Sequence, residues 1–98
     1  MEKKKIKDFA AKAFDDLSGA MASGLVYVGT RTGLFRAMSG CGPMVLHDVV
    51  RESGLQSRYV EEWLNGMVCA KYIEYDPVAR TFELPEEHAF MLASDGTD

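Results

Sequence analysis

Apolar residues recur along this chain at two different spacings, and each change of spacing marks a new element. From Glu2 to Asp16, Ile6, Phe9, Ala10, Ala13 and Phe14 fall at three- and four-residue steps that continue to Leu17. That series predicts one apolar stripe on a first helix. Lys3, Lys4, Lys7, Asp8, Lys12, Asp15 and Asp16 occupy its other faces. The acids interleave the lysines closely enough to indicate a solvated face and not an anion-binding one.

A second helix is expected over Ser18–Thr32 (SGAMASGLVYVGTRT), where Ala20 through Val28 is uncharged on every side. A helix apolar all round needs cover, and a domain this small has little core to supply it, so a second subunit is the natural neighbour. Ala20 and Gly24, four apart, admit another helix closely, although each glycine costs about 1 kcal/mol of helix stability relative to alanine. The expected dimer interface is Phe14, Leu17, Met21, Leu25 and Val28. LVYVGTRTG also fits a strand running into a glycine loop, but GxxxG is not GxGxxG and no second βαβ unit follows.

Gly33 suits the left-handed position that closes a helix. LFRAMS then forms a short helical turn, and GCGP breaks it. Beyond the break the pattern is that of a winged helix-turn-helix. Met44–Ser53 is its first helix, with Leu46, Val49 and Val50 inward and His47, Asp48, Arg51 and Glu52 outward. Gly54-Leu55 is the turn. Gln56–Lys71 is the second helix; Tyr59, Val60, Trp63, Leu64, Met67 and Val68 form its core face, and Arg58, Glu61, Glu62, Asn65 and Cys69 lie opposite. In Tyr72–Leu84, YIEY and TFEL alternate as short strands around the turn residues Asp76–Arg80. Pro85 opens a last helix, EEHAFMLAS, with Phe90, Met91 and Leu92 as its apolar face, and SDGTD ends in polar residues. The fold class is mainly α with a small β-hairpin: N-terminal dimerisation helices over 1–41, the winged helix-turn-helix over 42–84, and a C-terminal helix and linker over 85–98.

Charge narrows the function. A net charge of -4 and a pI near 5.1 count against nucleic acid as the default partner, because phosphate contacts need a basic footprint. A helix in the recognition position should bring Lys, Arg, Asn or Gln to the bases. This one offers two carboxylates against one guanidinium, with Arg58 spaced for an i, i+4 pair with Glu62. Arg80 at the wing tip is offset by Asp76. A transcription regulator would have to read DNA through Arg58, Asn65 and Arg80, and that function stands as the alternative. Cys41 and Cys69 show no CxxC spacing and suggest reduced thiols in a cytoplasm. His47 and His88 have no metal-ligand spacing with either cysteine. Glu86-Glu87 has no base or nucleophile beside it to make a catalytic dyad. The lysine run has no apolar region after it to make an export signal, and the uncharged run Leu17–Thr30 is shorter than the roughly 18 residues of a membrane span.

Three blocks in order, VGTRTGLFRAM, GLQSRYVEEWLNGMVCAKYIEYDP and TFELPEEHAFMLASD, resemble the N-terminal domain of class I S-adenosylmethionine-dependent methyltransferases. The similarity is to the small-molecule branch that opens with "GLYRAL", "RYVREWL", "YVEYDP" and "LPPEHA" blocks, and it spans roughly Gly19 to Asp95. It implies a noncatalytic winged-helix domain that dimerises and helps roof the acceptor-substrate pocket of a following Rossmann-like catalytic domain. The parent protein would then be a homodimeric methyltransferase using S-adenosylmethionine on a small-molecule acceptor. No acidic-GxGxG loop occurs in these 98 residues, so this chain alone is expected neither to bind that cofactor nor to transfer a methyl group. Two departures stand out. Val45 occupies a position where a Thr N-cap is common, a loss of about 1 kcal/mol, and Gln56 replaces a Ser or Thr cap.

Overall fold

The computed structural model describes residues 1–93; the SDGTD tail expected as a linker lies outside the described residues. Among them are five helices and a two-stranded hairpin: α1 (Lys3–Thr32), α2 (Leu34–Met38), α3 (Leu46–Ser53), α4 (Ser57–Cys69), β1 (Glu74–Asp76), β2 (Thr81–Glu83) and α5 (Glu86–Leu92). This is a mainly helical winged helix-turn-helix.

The two expected N-terminal helices are one. Ser18 and Gly19 are poor helix formers, but no proline interrupts the run and neither Gly19 nor Gly24 takes a positive φ. Weak propensity lowers the stability of a helix without ending it. The chain turns only at Gly33, whose φ of 81° is left-handed, as its position required. Thirty residues at about 1.5 Å each make α1 roughly 45 Å long. It gives the chain extents of 53 × 36 × 24 Å and a radius of gyration of 15.8 Å, above the about 13 Å of a compact domain this size.

The core sits at the other end of the molecule. Leu34, Phe35 and Met38 of α2, Val49 of α3, Val60, Trp63, Leu64 and Met67 of α4, and Ile73, Phe82, Leu84 and Ala89 are all buried in it. Gly54, with φ 72°, makes the turn between α3 and α4, and half-buried Leu55 packs on the core behind it. Tyr59 was expected in this core but is exposed; α4 reaches the core with Val60, Trp63, Leu64 and Met67, and Tyr59 lies beside that face.

Met44 was expected to begin the first helix of the pair, and it is a strand residue instead. Gly42, with a left-handed φ of 68°, turns the chain ahead of Pro43 and Met44. Met44 then exchanges both backbone hydrogen bonds with Phe82, at 2.8 and 2.7 Å. This antiparallel bridge lies on the far side of β2 from β1, in a hairpin whose register pairs Glu74 with Glu83, Tyr75 with Phe82 and Asp76 with Thr81. Helix α3 therefore starts at Leu46. Its N-cap, Val45, lacks a side-chain acceptor as expected, but the Asp48 carboxylate accepts the Val45 N–H at 3.3 Å, the return half of a capping box. Helix α4 is shorter than expected at its end, where Lys71 takes a φ of 67°. On α5, Ala89 is buried and Leu92 packs on the core, while Phe90 and Met91 are exposed; a helix of two turns can turn only one side inward. No helix of the described residues is long and apolar enough to cross a membrane.

Candidate functional site

The last third of α1 is seated on the core through two glycines. A Cβ at Gly29 would lie 2.5 Å from Phe35 Cε2 and 2.6 Å from Trp63 Cζ2, so only hydrogen fits there. Phe35 and Trp63 meet edge to face at 5.0 Å between ring centroids. At Gly66 a Cβ would lie 2.5 Å from Leu25 Cδ1, so the missing side chain makes the seat for Leu25. The Trp63 indole N–H donates to the Leu25 carbonyl at 2.9 Å. That bond crosses from α4 to α1 and satisfies the ring's one polar atom. Ring packing, glycine seat and hydrogen bond together fix the direction of α1.

The seated side of α1 carries Ala22, Leu25 and Gly29. Continued towards the N-terminus at the same spacing, it runs into Ser18, Asp15, Ala11 and Asp8, a face suited to water. The apolar stripe is elsewhere. At 100° per residue, Ile6, Ala10, Ala13, Leu17, Ala20, Gly24 and Val28 lie about a third of a turn round from the seat. Every residue from Met1 to Met21 is exposed. Phe9 and Phe14 keep 70% of their surface open to solvent, and Leu17 and Met21 keep 61% and 62%. Isolated exposed apolar side chains are ordinary, but a continuous stripe marks a contact surface.

The predicted interface residues therefore divide. Phe14, Leu17 and Met21 stand free, while Leu25, on the seated side, and Val28, at the end of the stripe, are half-buried against the chain's own core. Within α1 only Ala22 and Gly29 are buried against the chain's own body, and the rest of Ser18–Thr32 keeps the open or half-open faces for which a second subunit was expected.

The body that holds α1 has the parts of a winged helix-turn-helix in order: α3, the Gly54 turn, α4 and the β1–β2 wing. Residues 19–94 match the family described as the Rv2258c-like winged HTH domain. The chain belongs to that family. No curated protein matches it.

In this winged HTH domain, the face that would meet DNA is an open groove of ≈ 1030 Å³ between α3, α4 and the wing. Asn65 and Arg80 line it together with His47, Glu61, Cys69 and Tyr75. Arg58 lies outside the groove and pairs with Glu62 at 3.3 Å, as its spacing indicated. Arg80 turns the wing with a φ of 57°. Asp76, in the same turn, accepts the N–H groups of Val78 and Ala79 with its Oδ1, at 2.9 and 3.3 Å, and so shapes it. The groove thus holds one guanidinium, one carboxylate and one amide.

The other candidate groups are scattered. Cys41 and Cys69 are exposed and unpaired with each other, His47 is exposed, and His88 Nδ1 lies 2.7 Å from the Tyr72 carbonyl. Among the described residues, no three of the His, Cys, Asp and Glu side chains converge as metal ligands.

Sequence reasoning missed three contributors. Gly66 was not singled out, and no local signal marks it, because its role depends on Leu25, forty-one positions away. Ile6 and Phe9 were read as part of the apolar stripe of a separate first helix. Their spacing continues through Leu17 to Val28 without a break, and that continuity was the available signal.

Proposed function

We propose that this winged HTH domain is the noncatalytic pairing and acceptor-pocket module of an S-adenosylmethionine-dependent small-molecule methyltransferase, joined through α1 to a second copy of itself. The observation that carries the pairing is the apolar stripe along a helix segment exposed throughout from Met1 to Met21. The order of the GLFRAM, YVEEWL, YIEYDP and LPEEHA blocks supports the methyltransferase context. On this reading S-adenosylmethionine belongs to the catalytic domain of the parent protein. Titration of the parent protein with S-adenosylmethionine gives a binding heat, and the 98-residue chain gives none.

Sedimentation equilibrium tests the pairing. The wild-type chain is expected at twice 10.9 kDa at micromolar concentration, and Leu17→Asp and Met21→Asp as monomers with an intact body. Leu25→Asp is a poorer probe, because Leu25 also packs on Gly66. A wild-type monomer, or a Leu17→Asp dimer of unchanged mass, overturns the reading.

One observation favours a duplex reader: Asn65 and Arg80 share a groove. Against it, Glu61 faces the same groove and Glu62 neutralises Arg58. A DNA reader binds mixed-sequence duplex at about 50 mM salt with a steep negative salt slope, and absence of binding there removes it.

A further inference from the structure

We propose that the two copies of α1 lie antiparallel, with their two-fold axis at Leu17. The inference rests on the self-pairing reading above and specifies its geometry. An axis at Leu17 sets residue i of one helix against residue 34 − i of the other, an arithmetic consequence of two-fold symmetry. Leu17 then meets the partner's Leu17. Phe14 is then level with the partner's Ala20, Met21 with the partner's Ala13, and Ile6 with the partner's Val28. At 100° per residue Phe14 and Met21 lie on one edge of the stripe, and the antiparallel two-fold keeps that edge on one side of the pair, so Phe14 lies beside the partner's Met21 and each covers the other. A parallel, in-register pair would instead put that edge on opposite sides of the interface, where Phe14 and Met21 lack each other's cover.

Charge favours the same choice. Lys3, Lys4, Lys5 and Lys7 crowd the N-terminus of α1, whose first turn holds no acidic residue. Cations there oppose the positive end of their own helix dipole. Parallel pairing would bring two such clusters side by side, within the about 10 Å over which salt at 0.1 M screens charge. Antiparallel pairing separates them well beyond that distance. It also lays each cluster beside the partner's helix C-terminus, where the dipole favours cations. The nearest cation there, the partner's Arg31, is drawn over its own Tyr27 ring, 5.5 Å from the centroid. Beyond α1, acidic side chains outnumber basic ones from Gly33 to Ala93, so the body that receives the lysine cluster is of opposite sign.

No charged residue lies on the stripe between Ile6 and Val28. The Lys12–Asp16 pair, 2.7 Å apart, sits away from it, so pairing leaves that ion pair in solvent.

Spin labels separate the arrangements. In a chain with Cys41→Ser and Cys69→Ser, which replace exposed thiols, single labels go on Lys5→Cys and Asp16→Cys, both exposed and off the stripe. Positions 5 and 29 are 24 residues apart, so antiparallel pairing puts the two residue-5 labels about 36 Å apart along the helices. The residue-16 labels stay within about 20 Å, a helix separation of roughly 10 Å plus the label arms. Sedimentation on the same samples establishes their mass. A dimer with a long distance at residue 5 and a short one at residue 16 supports the inference. Short distances at both sites mean parallel helices, and long distances at both mean pairing elsewhere; either overturns it. A monomer overturns the self-pairing reading itself.

Discussion

The two halves of α1 share one helix and one apolar stripe, yet they are held by different things. From Ala22 to Thr32 the helix is fixed by the domain: Gly29 under Phe35 and Trp63, Leu25 in the Gly66 seat, and the indole bond to the Leu25 carbonyl. From Lys3 to Met21 every residue is exposed. The salt bridges there, Lys5–Glu2 and Lys12–Asp16, are exposed pairs worth a few tenths of a kcal/mol, about 0.3–0.5 each. An isolated helix of about 15 residues is marginal in water. What the contrast teaches is that one continuous helix can be held by its own core at one end only, and the proposed pairing acts at the other.

The comparison is tested first at the seat. Trp63→Ala removes a ring that packs on Phe35 and faces Gly29, and it orphans the contact to the Leu25 carbonyl. A loss of about 3–5 kcal/mol is expected for a buried aromatic, read as a lowered urea midpoint of the body's unfolding. Gly29→Ala tests the close approach, since the added methyl would meet two aromatic rings. Overpacking of this kind costs about 1–3 kcal/mol, in the direction opposite to the usual gain from replacing a helical glycine.

The exposed half responds differently. Gly19 and Gly24 have nothing within 4 Å where a Cβ would stand, so alanine at either stabilises the isolated helix by about 1 kcal/mol. Gly19 is off the stripe and Gly24 is on it. Gly19→Ala is expected to leave the dimer dissociation constant unchanged or lower it, and Gly24→Ala to raise it, measured by dilution of each variant. Equal effects would erase the distinction between the two faces. The smallest effect is expected on the winged face, where Arg58→Ala removes an exposed pair with Glu62. Its cost to the urea midpoint corresponds to about 0.5 kcal/mol or less.

Much of this architecture was legible in the sequence because it rests on local chemistry. The Gly33 and Gly54 turns, the Val60–Met67 face of α4, the hairpin and the Arg58–Glu62 pair each follow from residues within a few positions of one another. What was not legible depends on long-range contact. Met44 looked helical from its neighbours, but its backbone partner is Phe82. Tyr59 fits the spacing of the core face, but the core does not extend to it. Phe90 and Met91 look like an apolar face, and nothing in their own segment shows that His88, Ala89 and Leu92 reach the body in their place. The break placed between Asp16 and Ser18 divided one stripe into two shorter ones, which hid Ile6 and Phe9 from the candidate surface. The recognition groove shows the same limit: Asn65 and Arg80 meet in it, Arg58 does not, and only the packed wing decides which.

Hydrogen exchange along α1 over a range of protein concentrations tests the central claim most directly. The account predicts that amides from Lys7 to Met21 are protected at concentrations where the chain is dimeric and lose that protection on dilution. Amides of Val60 to Met67, inside the body, should keep theirs at every concentration, because their protection comes from the domain's own stability. Protection of the Lys7–Met21 amides that does not change with dilution, or that is absent at every concentration, would contradict the account.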